Sequence, residues 1–270
     1  MVSKSGTIRS GIGGWTFKRW DETFYPADLP KKRQLEYAAS KLTTIEVNGT
    51  FYRSQKPETF ASWAQQAPEG FVFSLKAPRY AVNRKVLAEG GESIGRFVQS
   101  GIVELGDKLG PLLWQLAATK RFDPDDFAAF LKLLPAKVGS TPLRHVVELR
   151  HESFACPEAV ALCRKAGVAI VHAESADYPE MSDVTTDFVY LRLQKGDETI
   201  PTAYPPDALD RWAERAKVWA KGGQPDDLPR ADPDHAAPTR PRDVFVYFIR
   251  SGKPRAPHAA MALMERLAES

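Results

Sequence analysis

The sequence predicts a closed (β/α)8 barrel, an α/β fold, and three observations predict it. Eight short apolar runs recur along the 270 residues, amphipathic segments fill most of the gaps, and the runs turn polar on one face near their C-terminal ends. Strands alternating with helices make βαβ units and a parallel sheet, and eight such units in this length suit a barrel that closes on itself. An open doubly wound sheet is the rival, but it needs a glycine-rich phosphate loop that opens a helix. Gly11-Ile12-Gly13-Gly14 follows the first run, yet Trp15 and Phe17 come next and no helical pattern begins there. As a dinucleotide fingerprint that signal is weak.

Taken in order, the strands are expected at 8–13, 43–48, 71–76, 112–117, 145–150, 168–172, 188–193 and 244–249. Helices are expected at 31–41, 57–66, 93–108, 124–134, 157–166, 206–220 and 258–268. Several open with a proline near the first helical position, where its missing N–H costs nothing, after a residue such as Asp123 or Cys156 that can cap. The gap at 173–186 has no convincing helical pattern and has room for a short turn of one. Residues 221–242, KGGQPDDLPRADPDHAAPTRPR, are rich in Pro, Asp and Arg without periodicity. They form a surface insertion before the last strand, a dispensable stretch and a candidate for disorder. One domain spanning 1–270 is the expectation.

Composition narrows the class. A hydrophobic content of 43% is enough for one sizeable core. The start, MVSKSGTIRS, has no apolar targeting region, and no apolar run approaches the ~18 residues of a membrane span, so a soluble, cytoplasmic protein with no membrane partner is expected. Cys156 and Cys163 lie in one helical pattern, ~10 Å apart along it, too far for a disulfide. No Cys or His spacing resembles a zinc site. With 37 basic and 34 acidic residues the net charge of +3 does not call for nucleic acid, and the runs Lys31-Lys32-Arg33 and Arg84-Lys85 fit solvated faces.

Alternate strand residues point to opposite faces, so parity assigns side chains to the barrel interior or to the helices. In the second strand Thr44, Glu46 and Asn48 share the face opposite Ile45 and Val47. The third places Ser74 and Lys76 there, the fourth Gln115, the fifth Glu148 and Arg150, the seventh Tyr190, Arg192 and Gln194; the sixth adds His172 and then Glu174. Buried charge is costly unless paired, so a polar layer at strand C-termini needs a reason, and barrel active sites lie at that mouth. Trp15, Phe51 and Tyr52 sit on loops that can roof or floor it. An internally paired plug, with Glu46 against Lys76 and Glu148 against Arg192, would leave the same pattern.

Many separate motifs carry a resemblance at this point: Gly13-Gly14-Trp15, WDETFYP from Trp20, IEVNGTFYR from Ile45, FSLKAPR from Phe73, LGDKLGPLLWQL from Leu105, VELRHESF from Val147, DFVYLRL from Asp187 and VYF from Val246. Almost end to end, the chain resembles the YecE-like family, the domain of unknown function numbered 72. The resemblance implies a TIM-barrel fold and carries over no catalytic residue, since the family's activity is not established. The positions that match its motifs are Trp15, Glu46, Asn48, Phe51, Tyr52, Lys76, Gln115, Glu148, Arg150, His151 and Arg192. Four family features are replaced here: Thr-His by Val82-Asn83, a double proline by Ala117-Ala118, His-Gly by Gln194-Lys195-Gly196, and an Asn pair by Ile249-Arg250. All four fall on mouth loops.

Two classes of function fit. As an enzyme or binding protein for a small polar molecule, anionic (phosphorylated or carboxylated) or sugar-like, the chain would use Lys76, Arg150 and Arg192 for positive charge. Glu46, Glu148 and Lys76 are the catalytic candidates, with one carboxylate raised in pKa by burial for proton transfer. Trp15, Asn48, Tyr52, Gln115, Arg150, His151 and Arg192 are the ligand-binding candidates. Two carboxylates also suit glycoside hydrolysis. No cofactor is expected; the alternative is a divalent-metal hydrolase or isomerase on Glu46, Glu148, His172 and Glu174, against which the adjacent arginines argue. The other class is a non-catalytic module holding a metabolite or, less favoured, a nucleic-acid element helped by Arg79, Arg84 and Lys85. Steep salt dependence would mark the latter. Oligomeric state is left open.

Overall fold

In the computed structural model, which describes residues 5–269, eight parallel strands form a closed barrel. They are Ile8–Gly13, Thr44–Val47, Val72–Lys76, Leu109–Gln115, His145–Glu148, Ala169–Glu174, Phe188–Lys195 and Asp243–Ser251. Each lies beside its sequence neighbours, and the eighth closes on the first with Ile8 opposite Val244 and Gly11 opposite Tyr247. The closure needs Gly11. A Cβ there would stand 1.9 Å from the Thr44 carbonyl oxygen of the second strand. The glycine run thus lies largely within the first strand, where Gly11 serves strand packing, and no phosphate loop opens from it.

The main core is the layer between barrel and helices. Ile12, Ile45, Phe73, Trp114, Val147, Leu191 and Val246 pack outward against apolar stripes of the helices. A separate cluster of Val72, Leu113, Val146, Val171, Phe188, Tyr190, Phe245 and Tyr247 fills the barrel's lower interior. The helices Pro57–Gln66, Pro157–Ala166 and Pro206–Ala220 lie at their expected bounds, each with proline in its first turn. Asp123 caps Pro124–Leu133 by accepting from the Asp126 N–H at 3.0 Å.

The helix expected at 93–108 is two pieces, an α-helix at Gly91–Val98 and 3-10 turns at Ile102–Lys108. Gly101 separates them with φ of +99°, a backbone that ends a right-handed helix. One-turn helices at Trp20–Thr23, Gly49–Tyr52 and Arg79–Val82, and a small hairpin of Lys137–Val138 with Thr141–Pro142, are too short to show periodicity in sequence.

The gap at 173–186 holds no helix. Instead, residues 221–242 lie against it. Ser182 donates through its backbone and its hydroxyl to the Pro229 carbonyl, the Gln224 amide donates to the Ser182 carbonyl, and Asp183 accepts from the backbone N–H of Ala231 and Asp232. Arg164 pairs with Asp232 at 3.1 Å and Arg215 with Asp227 at 2.6 Å. The stretch expected as a surface insertion and a candidate for disorder is thus tied to the loop beside it. Its polar groups satisfy a neighbouring loop, while Leu228, Ala231 and Ala237 pack against the core.

Candidate functional site

Three levels of side chain stack inside the barrel, and the chemistry changes upward. At the base Arg9 and Arg144 lie over the Phe245 ring at 5.5 and 5.1 Å. Above them Tyr190 and Tyr247 pack with ring centroids 4.8 Å apart, Tyr247 hydroxyl 2.8 Å from Thr44 Oγ1. Tyr190 donates to Glu46 Oε2 at 2.8 Å and so links the apolar interior to the charged layer.

Arg192 is the centre of that layer. It donates to Glu46 at 3.0 and 3.1 Å and to Glu148 at 2.7 and 2.8 Å. All three groups are buried. Gln115 and Arg150 also donate to Glu148 Oε2, Arg150 at 3.1 Å. Burial alone would push the Glu148 carboxyl up, but Arg192 and Arg150 outweigh it and hold the group at about 2. Glu148 is an ion at every ordinary pH. Burial opposes the Arg192 charge too, and the two carboxylates overcome it, so its pKa is raised.

Above this layer opens a cavity of about 670 Å³ at the C-terminal ends of the strands. Lys76, Gln115, Arg150 and Arg192 form its floor, while Asn48, Tyr52, Trp15 and Trp63 form one wall. Arg53, Arg250 and Lys253 complete its basic lining, which among the described residues contains no Asp or Glu. The loop after the second strand is built to place the wall. Thr50 Oγ1 lies 2.7 Å from the Lys76 carbonyl it donates to, and the following Phe51 ring receives Lys76 Nζ at 4.1 Å from its centroid. An acid and an amide end that strand because Glu46 belongs to the floor and Asn48 to the wall. Opposite, Arg150 stacks on Tyr178 at 4.4 Å, and Arg250 pairs with Asp177 at 2.6 Å. Arg250 holds a left-handed backbone with φ of +65°, rare for a residue with a side chain and one that Asn tolerates better.

Comparison with known proteins bears on the fold. A family model described as a protein of unknown function, DUF72, matches residues 9–270. The chain belongs to the DUF72 family. A crystal structure of a DUF72 protein from Thermotoga maritima superposes with a TM-score of 0.71 at 20% identity, over 98% of this chain and 100% of that one. One from Enterococcus faecalis gives 0.69 at 18% identity, over 98% and 99%. At these identities the likeness shows the fold alone. YecE of Escherichia coli is 26% identical over 147 residues, 54% of this chain and 50% of YecE, so the chain spans about half the length of the curated relatives it matches.

In this DUF72 barrel, Trp15, Asn48, Tyr52, Lys76, Gln115, Arg150 and Arg192 come together around the cavity. Glu46 and Glu148 do not reach its surface; they lie beneath, committed to Arg192. The expectation of a carboxylate raised by burial fails for Glu148, because two guanidinium groups outweigh desolvation. His151 is not brought in. Its Nδ1 accepts from the Ser153 backbone at 3.1 Å and caps the turn Glu152–Phe154. The proposed metal set is dispersed. His172 turns outward to Trp212 and Trp219, with burial pulling its pKa down to about 4, and Glu174 accepts from the Tyr204 hydroxyl at 2.7 Å. Parity misplaced both because the interior face of the sixth strand belongs to Val171 and Ala173. Among the described residues no three His, Cys, Asp or Glu side chains are grouped to hold a metal ion. Trp63, Tyr178 and Lys253 are not legible as site residues in sequence: Trp63 sits among the half-buried residues of the helix Pro57–Gln66, Tyr178 on an aperiodic loop and Lys253 in a single 3-10 turn, Lys253–Arg255.

Proposed function

We propose that the mouth binds a small anionic molecule, phosphorylated or carboxylated, whose body lies against Trp15, Tyr52 and Trp63. One observation carries the reading: the cavity lining has six lysines and arginines and no carboxylate. Glu46 and Glu148 are shared between Arg192 and Arg150, and Arg250 is met by Asp177, so Arg53, Lys76 and Lys253 leave the lining with a surplus of positive charge. A low-dielectric recess lined by one sign concentrates ligands of the other. Arg150, fixed by Glu148 and Tyr178, is the best-ordered anion partner, since its planar fork matches carboxylate or phosphate oxygens. In this reading Glu46 and Glu148 are positioning groups that hold Arg192 and Arg150.

The test is calorimetric titration of the full chain with inorganic phosphate, hexose phosphates and small dicarboxylic acids, at low and high salt. Binding of a phosphate or carboxylate ligand is expected, lost at least tenfold in Arg150→Ala and weakened only modestly by salt. If none of these anions binds, the reading falls. If short oligonucleotides bind instead, with a steep loss as salt rises, a nucleic-acid surface replaces it.

A further inference from the structure

Lys76 is a buried cation of the mouth without a matching acid. Among the described residues its Nζ takes no hydrogen-bond or ion-pair partner, and lies over the Phe51 ring at 4.1 Å. Glu46 and Glu148 share its layer but are turned to Arg192. The groups that face Lys76 are Arg192 and Arg150, which repel its proton, and Glu46 and Glu148, which attract it. Burial is the largest influence and, with the arginines, brings the amine down to about 8. A structural lysine would be satisfied by a partner; this one ends in an open cavity with its charge disfavoured.

We propose that Lys76 is the covalent nucleophile of this mouth and forms an imine with the carbonyl carbon of an anionic aldehyde or ketone. This deepens the anion-binding reading and rests on it: Arg150 and its neighbours hold the phosphate or carboxylate while the carbonyl sits over the floor. The neutral amine donates its lone pair to the carbonyl carbon, and the C=O pair moves to oxygen. A proton passes from nitrogen to that oxygen, giving a carbinolamine. The C–O bond then breaks and, with one proton taken from solvent, water leaves and a protonated imine remains. Desolvated lysines flanked by cations are suited to this chemistry because the unprotonated amine is available near neutral pH.

Pyridoxal phosphate, an aldehyde bearing a phosphate, is the probe. The full chain is incubated with it, reduced with borohydride and mapped by peptide mass spectrometry, while inorganic phosphate binding is measured by calorimetry. The expected result is one equivalent of adduct on Lys76, suppressed by excess phosphate, with a labelling rate that rises with a midpoint near 8. In Lys76→Arg, with its fold checked by circular dichroism, adduct formation drops at least tenfold. Labelling spread over surface lysines with Lys76 spared, while phosphate still binds, overturns the imine and leaves the anion site standing. Failure of phosphate and probe alike overturns both.

Discussion

At the scale of the residue, Arg192 and Glu148 decide what the mouth is made of. Sequence allowed either a hydrated mouth in which Arg192 crowds Arg150 and Lys76, or an internally paired plug of Arg192 with Glu148. The structure contains the pair and leaves a cavity above it. Removing one partner of a buried pair strands the other, so Arg192→Ala should cost about 3–5 kcal/mol in denaturant unfolding at neutral pH, not the near-neutral change a hydrated mouth would give. Glu148 adds a pH signature. In the unfolded chain its carboxyl takes up a proton near 4.5, in the folded chain near 2. Its stabilisation is complete above 4.5 and disappears as pH falls toward 2, amounting to about 3 kcal/mol. Unfolding measured across that window should be flatter in Glu148→Gln than in wild type; equal slopes would place the acid sensitivity elsewhere. The parity of single strands made Glu46, Lys76, Gln115, Glu148 and Arg192 legible as interior groups. Which of them touch, and which reach the cavity, depends on the stagger between strands, and no single strand encodes that.

At the scale of the element, the long periodic helices were readable because their apolar stripes and first-turn prolines repeat enough to be seen. The elements that carry the site are shorter. Gly49–Tyr52, a single turn, sets Phe51 against Lys76 and Tyr52 at the rim, and four residues cannot display a period. The contacts of the aperiodic stretch 221–242 are illegible for a related reason, since several of its hydrogen bonds go to a loop, at 175–187, that has no pattern either. Asp183 is the hinge of that contact, accepting two backbone N–H bonds at 2.8 and 2.9 Å. Charge-assisted bonds of this kind are worth about 1.5–3 kcal/mol, so Asp183→Ala should lower stability by at least ~2 kcal/mol. Replacing 221–242 with a short Gly/Ser linker should lower the melting temperature by several degrees. An unchanged melting temperature in both would restore the dispensable insertion.

At the scale of the whole molecule, the barrel is closed by a contact with no tolerance. Gly11 lets the first strand approach Thr44 so closely that a Cβ would meet the carbonyl oxygen at 1.9 Å. Gly11→Ala must push the first and second strands apart, and both end in the mouth. A loss of ~3 kcal/mol or more is expected in thermal or denaturant unfolding. A variant as stable as wild type would mean the seam can open without cost.

The sequence by itself determined the number and order of the strands, the apolar outward faces that bind them to helices, and the polarity of their C-terminal ends. These are local properties, written as period two in strands and as longer repeats in helices. Tertiary structure alone decided that Arg192 would join Glu46 to Glu148, that His172 would face Trp212 and not the mouth, and that Lys76 would be left without a carboxylate. Those outcomes depend on the stagger of eight strands and on where aperiodic loops land. A pair of charges satisfies itself only across a few ångströms, and that distance is fixed by closure of the barrel.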